Sequence, residues 1–356
     1  MSSFFKGKHI LVTGGTGSIG SEMVRQLLQQ DPATVRLFSR DEHKQFLLQQ
    51  QLGDLPKHNL RYFLGDVRDY PRLLMALEGI DYVFHCAAYK HVSFCEYNSF
   101  EAVKTNIIGT QNVIDASIAQ NVSRVLLIST DKAANPSSVM GATKLLAEKM
   151  ITSAKHVSGS RPIQFASVRF GNVLASRGSV LPLFCKQICH GEPITITHPD
   201  MMRFFMSIPQ AVKLTFAAME QIENGDLFIL KMPVVRLGDL VDVLIEEVAK
   251  RTGKDPDSIE RKIIGVRQGE KMEEILMTNE EMQNASEEKE MYIISTSTSV
   301  PGGVNEKPNT TIPATKTFAD STVLNKDQIH DLLSSVIEEY FEKNPFLGDV
   351  APIVKG

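Results

Sequence analysis

The chain has 356 residues, of which 42% are hydrophobic and 22% charged, and a formal net charge of −4. This is the composition of an ordinary soluble globular protein, long enough for one large domain or one large plus one small. It shows no basic run that would point to nucleic acid. No apolar stretch reaches the ~18 residues that span a bilayer, and the N-terminus lacks the apolar segment of a signal peptide, so a cytoplasmic protein with no membrane partner is expected.

Residues 1–170 alternate between short strands and longer helices. Strands are predicted at 9–13, 34–39, 59–65, 81–87, 123–129 and 162–169, and helices at 18–30, 44–51, 70–77, 100–119 and 139–155. In the first helix Ile19, Met23, Val24, Leu27 and Leu28 share one face, and Asp31-Pro32 stops it. Such alternation implies a Rossmann-like, doubly wound parallel sheet, α/β in class, which takes ligands at the carboxyl ends of its strands. Gly14, Asp66, Ala87 and Asp131 fall there.

After Arg169 the rhythm breaks. A helix is expected within 171–191, extended chain over 192–205, helices at 209–223 and 237–251, and a strand at 226–230 that returns to the sheet. The domains expected are therefore a dinucleotide-binding domain over 1–170, rejoined by 206–232, and a smaller substrate-binding domain from 171–205 and 233–294. An extension over 295–356 comprises a Ser/Thr/Pro/Gly-rich loop to 316 and a terminal helix from Asn325, with Gln328 placed for a capping box. Its stripe of Ile329, Leu332, Leu333, Val336, Ile337 and Tyr340 suits either the chain's own core or a second subunit. Cys86, Cys95, Cys185 and Cys189 read as buried reduced thiols, and no metal is expected because no ligand set accompanies them.

Thr13-Gly14-Gly15-Thr16-Gly17-Ser18-Ile19-Gly20 joins a strand to a helix, the context of a dinucleotide fingerprint. Gly14 permits the tight turn, Gly17 lets backbone approach the pyrophosphate and Gly20 lets helix and sheet pack closely, with Thr16, Ser18 and Ile19 completing the cradle. The second strand ends in Ser39-Arg40-Asp41. Ser39 and Arg40, with Lys44 one turn on, suit a ribose 2′-phosphate, which favours NADP; the NAD alternative has Asp41 on the ribose and Arg40 at the surface. Asp66 and Val67 can meet the adenine edge, and Ala87 and Ala88 permit close approach behind the nicotinamide half.

Asp131 and Lys132 leave the fifth strand where the nicotinamide is expected, and Met140 and Lys144 share a helix face one turn apart. Lys144 is placed to hold the nicotinamide ribose. Lys132, near that cation and the nicotinamide, would have its basicity lowered enough to act as a base. The plain alternative is a structural ion pair at a strand end.

The chain resembles the UDP-N-acetylglucosamine 4,6-dehydratases of the extended short-chain dehydrogenase/reductase superfamily, the branch that serves polysaccharide biosynthesis. The resemblance rests on Ser39-Arg40-Asp41-Glu42, Gly65-Asp66-Val67-Arg68-Asp69, Ala87-Ala88-Tyr89-Lys90-His91-Val92 and Lys104-Thr105-Asn106. It continues through Ser129-Thr130-Asp131-Lys132-Ala133, Arg169-Phe170-Gly171-Asn172-Val173, Ser176-Arg177-Gly178-Ser179-Val180, His198-Pro199-Asp200, Arg203-Phe204-Phe205-Met206 and Arg267-Gln268-Gly269-Glu270-Lys271.

The resemblance implies a reaction without net redox. NADP takes hydride from sugar carbon 4, Lys132 removes the carbon-5 proton, water leaves carbon 6 with Asp131 as acid, and hydride returns to carbon 6. The superfamily's tyrosine is here Met140, which carries no proton, so Thr130, Lys132 or a water held by Asp131 must serve the 4-hydroxyl; some members of the branch share this methionine. Lys90 and Asn172 are implied at the sugar and diphosphate, Arg177, Arg203 and Arg267 at the pyrophosphate, Glu270 toward the uridine ribose, and Ser179 and Val180 as further substrate contacts. A homo-oligomer is also implied. A UDP-sugar 4-epimerase is the competing enzyme and a non-catalytic NADP-binding regulator the competing class.

Overall fold

A computed structural model describes residues 4–53, 55, 57–223, 225–295 and 322–344. Its first part runs β1 (His9–Thr13), α1 (Ser18–Leu28), β2 (Thr34–Ser39), α2 (Glu42–Gln51), β3 (Leu60–Leu64), α3 (Tyr70–Leu77) and β4 (Tyr82–His85). Then come α4 (Val92–Tyr97), α5 (Ser99–Val103), α6 (Gly109–Ala119), β5 (Arg124–Ile128), α7 (Val139–Val157) and β6 (Gln164–Arg169). The six predicted strands all form, trimmed at one or both ends where the polar flanks carry the turns. The predicted helix over 100–119 is α5 and α6 joined by a π-helical turn, Lys104–Ile108, and α4 was not anticipated.

The chain continues with β7 (Asn172–Val173), α8 (Val180–His190), β8 (Ile194–Ile196), β9 (Met202–Met206), α9 (Ile208–Gln221), β10 (Asp226–Leu230), β11 (Val234–Arg236) and α10 (Leu237–Thr252). Last are β12 (Arg261–Ile263), α11 (Asn279–Gln283), β13 (Ala285–Glu287), β14 (Met291–Ile294) and α12 (Lys326–Lys343).

Nine strands make one sheet in the order β13-β14-β10-β6-β5-β4-β1-β2-β3. The strands from β3 to β10 in that order are parallel, and β14 and β13 are antiparallel additions. The order reverses between β1 and β4, the switch point that opens a ligand crevice in doubly wound sheets. All four residues of β4 are buried, as are Ile10, Leu11 and Val12 of β1, because helices cover both faces. On one face Leu73 and Ala76 of α3, Val113 and Ile114 of α6, and Ala147 and Ile151 of α7 meet the strands. On the other, Phe5 and Phe216 of α9 pack on Phe84, with Phe216 centroids 5.0 and 5.5 Å from those of Phe5 and Phe84.

The chain divides into two compact units: the described residues of 1–170, 212–231 and 275–316, and those of 171–211, 232–274 and 317–356. This differs from the sequence expectation in two places. Residues 285–287 and 291–294, assigned there to the substrate-binding domain, form a hairpin whose β14 pairs with β10 in the large sheet. Residues 326–343, assigned to an extension, are α12, whose Ile329, Leu333, Val336 and Ile337 are buried with α8 and α10 in the second unit's core. That stripe is therefore spent on the chain's own core, and the Asn325–Gln328 capping box is present. The loop expected over 295–316 lies, after Ser295, outside the described residues.

Candidate active site

At the switch point the chain turns sharply out of β1. Gly14 has φ +64°, and a Cβ there would stand 2.8 Å from the backbone of Ala87. A Cβ on Gly20 would meet the Gly14 carbonyl oxygen at 2.4 Å, so α1 can seat on this loop only with glycine there. Helix α1 begins after Gly17 without a side-chain cap and without an acid in its first turn. Its N-terminal amides thus face the loop with positive dipole uncompensated, an arrangement that fits a dinucleotide pyrophosphate. Ala87 lies against the loop: its N–H donates to Thr13 Oγ1 at 3.3 Å.

At the tip of β2, Asp41 caps α2. It accepts the Lys44 N–H at 3.0 Å and holds Lys44 Nζ at 2.7 Å, and these bonds keep its carboxyl below the usual range. Lys44 is thereby drawn to Asp41. Ser39 is buried and accepts from Gln45 Nε2 at 3.1 Å. Arg40 stays half-exposed, its guanidinium 5.1 Å from the Tyr89 ring centroid and 3.7 Å from Asp66. Asp66 also accepts three hydrogen bonds from Arg68; burial opposes its ionisation, but Arg68 prevails and its pKa is lowered. Val67 is buried against Gly109.

The reacting centre is built on the end of β5. Thr130 caps a single 3₁₀ turn, Asp131–Ala133. Asp131 is fully buried; its Oδ1 accepts from Thr130 Oγ1 at 2.9 Å and from Lys132 Nζ at 3.0 Å. Its Oδ2 is buried with no hydrogen-bond partner among the described residues. A buried carboxylate oxygen without a donor costs free energy unless a ligand or water supplies one. Lys144, one turn beyond Met140 on α7, is buried and donates to the Ile128 carbonyl at 2.6 Å. Burial pushes its pKa down to about 8, with Glu148 and Cys86 pulling the other way. Helix α7 can approach this turn because residue 141 is glycine: a Cβ there would lie 2.3 Å from the Lys132 carbonyl oxygen. Met140 itself is packed with Cys95 and Ala102, and Tyr89 lies against that cluster.

Two residues of the network went unassigned in the sequence. Asn106, in the π-helical turn, is 2% exposed; it accepts the Tyr89 N–H at 2.8 Å and donates to the Tyr89 carbonyl at 3.1 Å and Thr143 Oγ1 at 3.0 Å. The extra residue of a π turn is what aims it there, and no periodicity signals that. His85 is buried, and desolvation, helped by the charge of Lys144, lowers its pKa to about 3, so it is neutral. Thr110 Oγ1 donates to the Asn106 carbonyl at 2.7 Å, so His85 Nε2–H is assigned as donor to Thr110 and Nδ1 as acceptor from Thr13, at 3.0 and 2.7 Å. The chain of bonds ends at the Ala87 N–H. The sequence showed only a histidine ending a buried strand.

In the second unit, Asn172 Nδ2 donates to the Phe204 carbonyl at 3.3 Å. Ser179 precedes α8 without capping it, and its Oγ is buried with no partner among the described residues. Val180 is the first residue of that helix. Arg203 is committed to backbone: it donates to the carbonyls of Met202, Met272 and Lys271 at 2.8, 3.1 and 2.8 Å. It ties β9 to the segment that carries Glu270. Arg177 and Arg267 are exposed, and the Arg267 N–H donates to Glu270 at 3.4 Å. Lys90, in the first unit, is exposed as well. Among the described residues no cluster of three or more His, Cys, Asp or Glu side chains could hold a metal ion, and no helix is long and apolar enough to cross a membrane.

A doubly wound sheet with a glycine cradle at its switch point and a buried lysine on the following helix places the chain in the extended short-chain dehydrogenase/reductase superfamily. Within it, the chain belongs to the family described as "Polysaccharide biosynthesis protein", which it matches over residues 10–296. It is 40% identical over 296 residues to a UDP-N-acetylglucosamine 4,6-dehydratase (inverting) of Campylobacter jejuni, covering 82% of this chain and 84% of the other. It is also 40% identical over 294 residues to a UDP-glucose 4-epimerase of Rickettsia rickettsii, covering 82% and 83%. Among solved structures, Pen from Bacillus thuringiensis matches with a TM-score of 0.84 and 47% identity, covering 93% of this chain and 98% of that one.

Proposed function

We propose that the protein is a nucleotide-sugar 4,6-dehydratase that acts on UDP-N-acetylglucosamine and uses NADP it regenerates in each cycle. The Asp131–Lys132 pair carries this reading: a base and an acid joined by one 3.0 Å hydrogen bond, with the second carboxylate oxygen buried and waiting for a donor. Bound nicotinamide supplies the hydride exchange at sugar carbons 4 and 6. The chain supplies the proton handling. Lys132 Nζ takes the proton from carbon 5, made acidic by the neighbouring carbonyl, and its bond to Asp131 gives that proton a path to the hydroxyl leaving carbon 6. Thr130, whose hydroxyl donates to Asp131, serves the 4-hydroxyl proton, since a thioether at 140 carries none. Lys144 holds the nicotinamide ribose.

NADP is favoured over NAD because Asp41, the acid that would hold a free 2′-hydroxyl, has turned to cap its own helix, while Arg40 remains half-exposed at the tip of β2. The unpartnered Ser179 Oγ and the N-terminus of α8 offer an anion site for the diphosphate. Arg203 is left to a structural role.

The second reading, a UDP-sugar 4-epimerase, is favoured by the Rickettsia relative. An epimerase needs no base at carbon 5. Incubation with UDP-N-acetylglucosamine in deuterated water, followed by NMR, separates the two. Dehydration gives a 6-deoxy-4-keto sugar with deuterium at carbon 5; a carbon-4 epimer free of deuterium would overturn the proposal.

A further inference from the structure

The phenol of Tyr89 lies against the Met140 cluster, yet its hydroxyl points away from the reacting centre toward the tip of β2, where Arg40 Nη1 donates to it at 3.0 Å. The same guanidinium lies over the ring, 5.1 Å from its centroid. Tyr89 is well fixed for this task. Its backbone N–H and carbonyl are both held by the amide of Asn106, which is itself bound to Thr143 on α7. Its ring rests on the cluster of Cys95, Ala102 and Met140. Arg40 has little else: the Asp66 carboxylate stands 3.7 Å away and is occupied by Arg68. No other hydrogen bond from Arg40 is made among the described residues. A free arginine at a strand tip would sweep many rotamers, and ordering it on a ligand would cost that freedom. Stacking on a fixed ring removes the cost beforehand.

We infer that Tyr89 is a positioning residue for cofactor selection: it holds the Arg40 guanidinium ready for a ribose 2′-phosphate and so sets the preference for the 2′-phosphorylated dinucleotide. The inference rests on the NADP reading above, and it explains why the tyrosine is tied down from both its backbone and its ring. Tyr89 touches the arginine, and the arginine touches the phosphate. Lys44, the other cation on this strand tip, is held by Asp41 and plays no part.

The test is calorimetric titration of the full chain with adenosine 2′,5′-bisphosphate and with 5′-AMP, repeated with NADP and NAD. Arg40→Ala reports whether the arginine reads the 2′-phosphate at all. Tyr89→Phe keeps the ring and loses the hydroxyl; it should weaken the bisphosphate by about 3–10-fold. Tyr89→Leu loses both contacts and should weaken it by about 10–50-fold. Binding of 5′-AMP should stay within about twofold of wild type in both, because that ligand lacks the charge Arg40 meets. General damage to the fold would weaken both probes together and leave their ratio unchanged. If Arg40→Ala lowers the ratio and neither Tyr89 variant does, the positioning role is refuted while the NADP reading survives. If Arg40→Ala leaves the ratio intact, both fall.

Discussion

Two charged clusters stand one strand apart in the large sheet, and they are finished in opposite ways. At the end of β6, Arg169 is fully buried and spends its whole fork on protein: two bonds to Glu148, at 3.1 and 2.6 Å, two to Glu281, each at 2.9 Å, and one to the Leu276 carbonyl at 2.8 Å. Burial works against its charge, but the two glutamates outweigh it and raise its pKa further. At the end of β5, Asp131 is equally buried but keeps one oxygen without a donor. The first cluster is closed and joins β6, α7 and α11. The second is open on one side, which is what chemistry requires. The contrast teaches that burial of charge does not by itself mark a site; incomplete pairing does. The clusters are also linked, since the Asp131 N–H donates to the carbonyl of Phe170 at 3.0 Å, the residue after Arg169.

The contrast can be broken most severely at its closed end. Arg169→Met leaves Glu148 and Glu281 buried without their cation and should cost about 3–5 kcal/mol in urea unfolding; a loss under about 1 kcal/mol would show the network to be ornamental. At the open end, Lys132→Ala should slow sugar dehydration by about 10²–10⁴-fold, with the unfolding midpoint and cofactor affinity nearly unchanged. If turnover and stability fell together, the two clusters would not differ in kind.

Lys144 sharpens the comparison through pH. Its folded pKa of about 8 lies below the ordinary 10.5. The unfolded chain therefore binds the proton more tightly, and stability from this group rises with pH through the window from about 8 to 10.5. Below about 8 the penalty is fully present; at about 1.4 kcal/mol per pKa unit it amounts to roughly 3 kcal/mol. Lys144→Met should flatten the rise in unfolding midpoint across that window, and parallel curves for the two proteins would contradict the assignment. The smallest effect belongs to Met140, which packs and carries no proton. Met140→Leu should cost under about 1.5 kcal/mol and leave turnover within about twofold; a large drop in rate with intact stability would give the thioether a chemical part.

Much of this site was legible in the sequence because its signals are local. The glycine spacing from Gly14 to Gly20, the strand runs to β6 and the turn between Met140 and Lys144 each depend on neighbours within a few positions. What was missed depends on distance. Arg203 reads as a free cation until the carbonyls of Lys271 and Met272 are brought to it. Strands β13 and β14 are three and four residues long, too short for alternation to show. Helix α11 had a local signal that was overlooked: Thr278 and Glu281 form a capping box. Asp41 and Lys44, three positions apart, could likewise have been read as a helix cap and its cation rather than as a phosphate site.

The π-helical turn at Lys104–Ile108 also has a bearing on which length changes this protein can accept. It holds one residue more than the helix on either side would use, so trimming a single residue there would restore ordinary winding while rotating everything downstream by about 100°. Val113 and Ile114 would swing out of the interior, and Asn106 would release the loop after β4. Point changes along this helix should therefore be survivable where a one-residue deletion is not, because the deletion alters its phase rather than its chemistry.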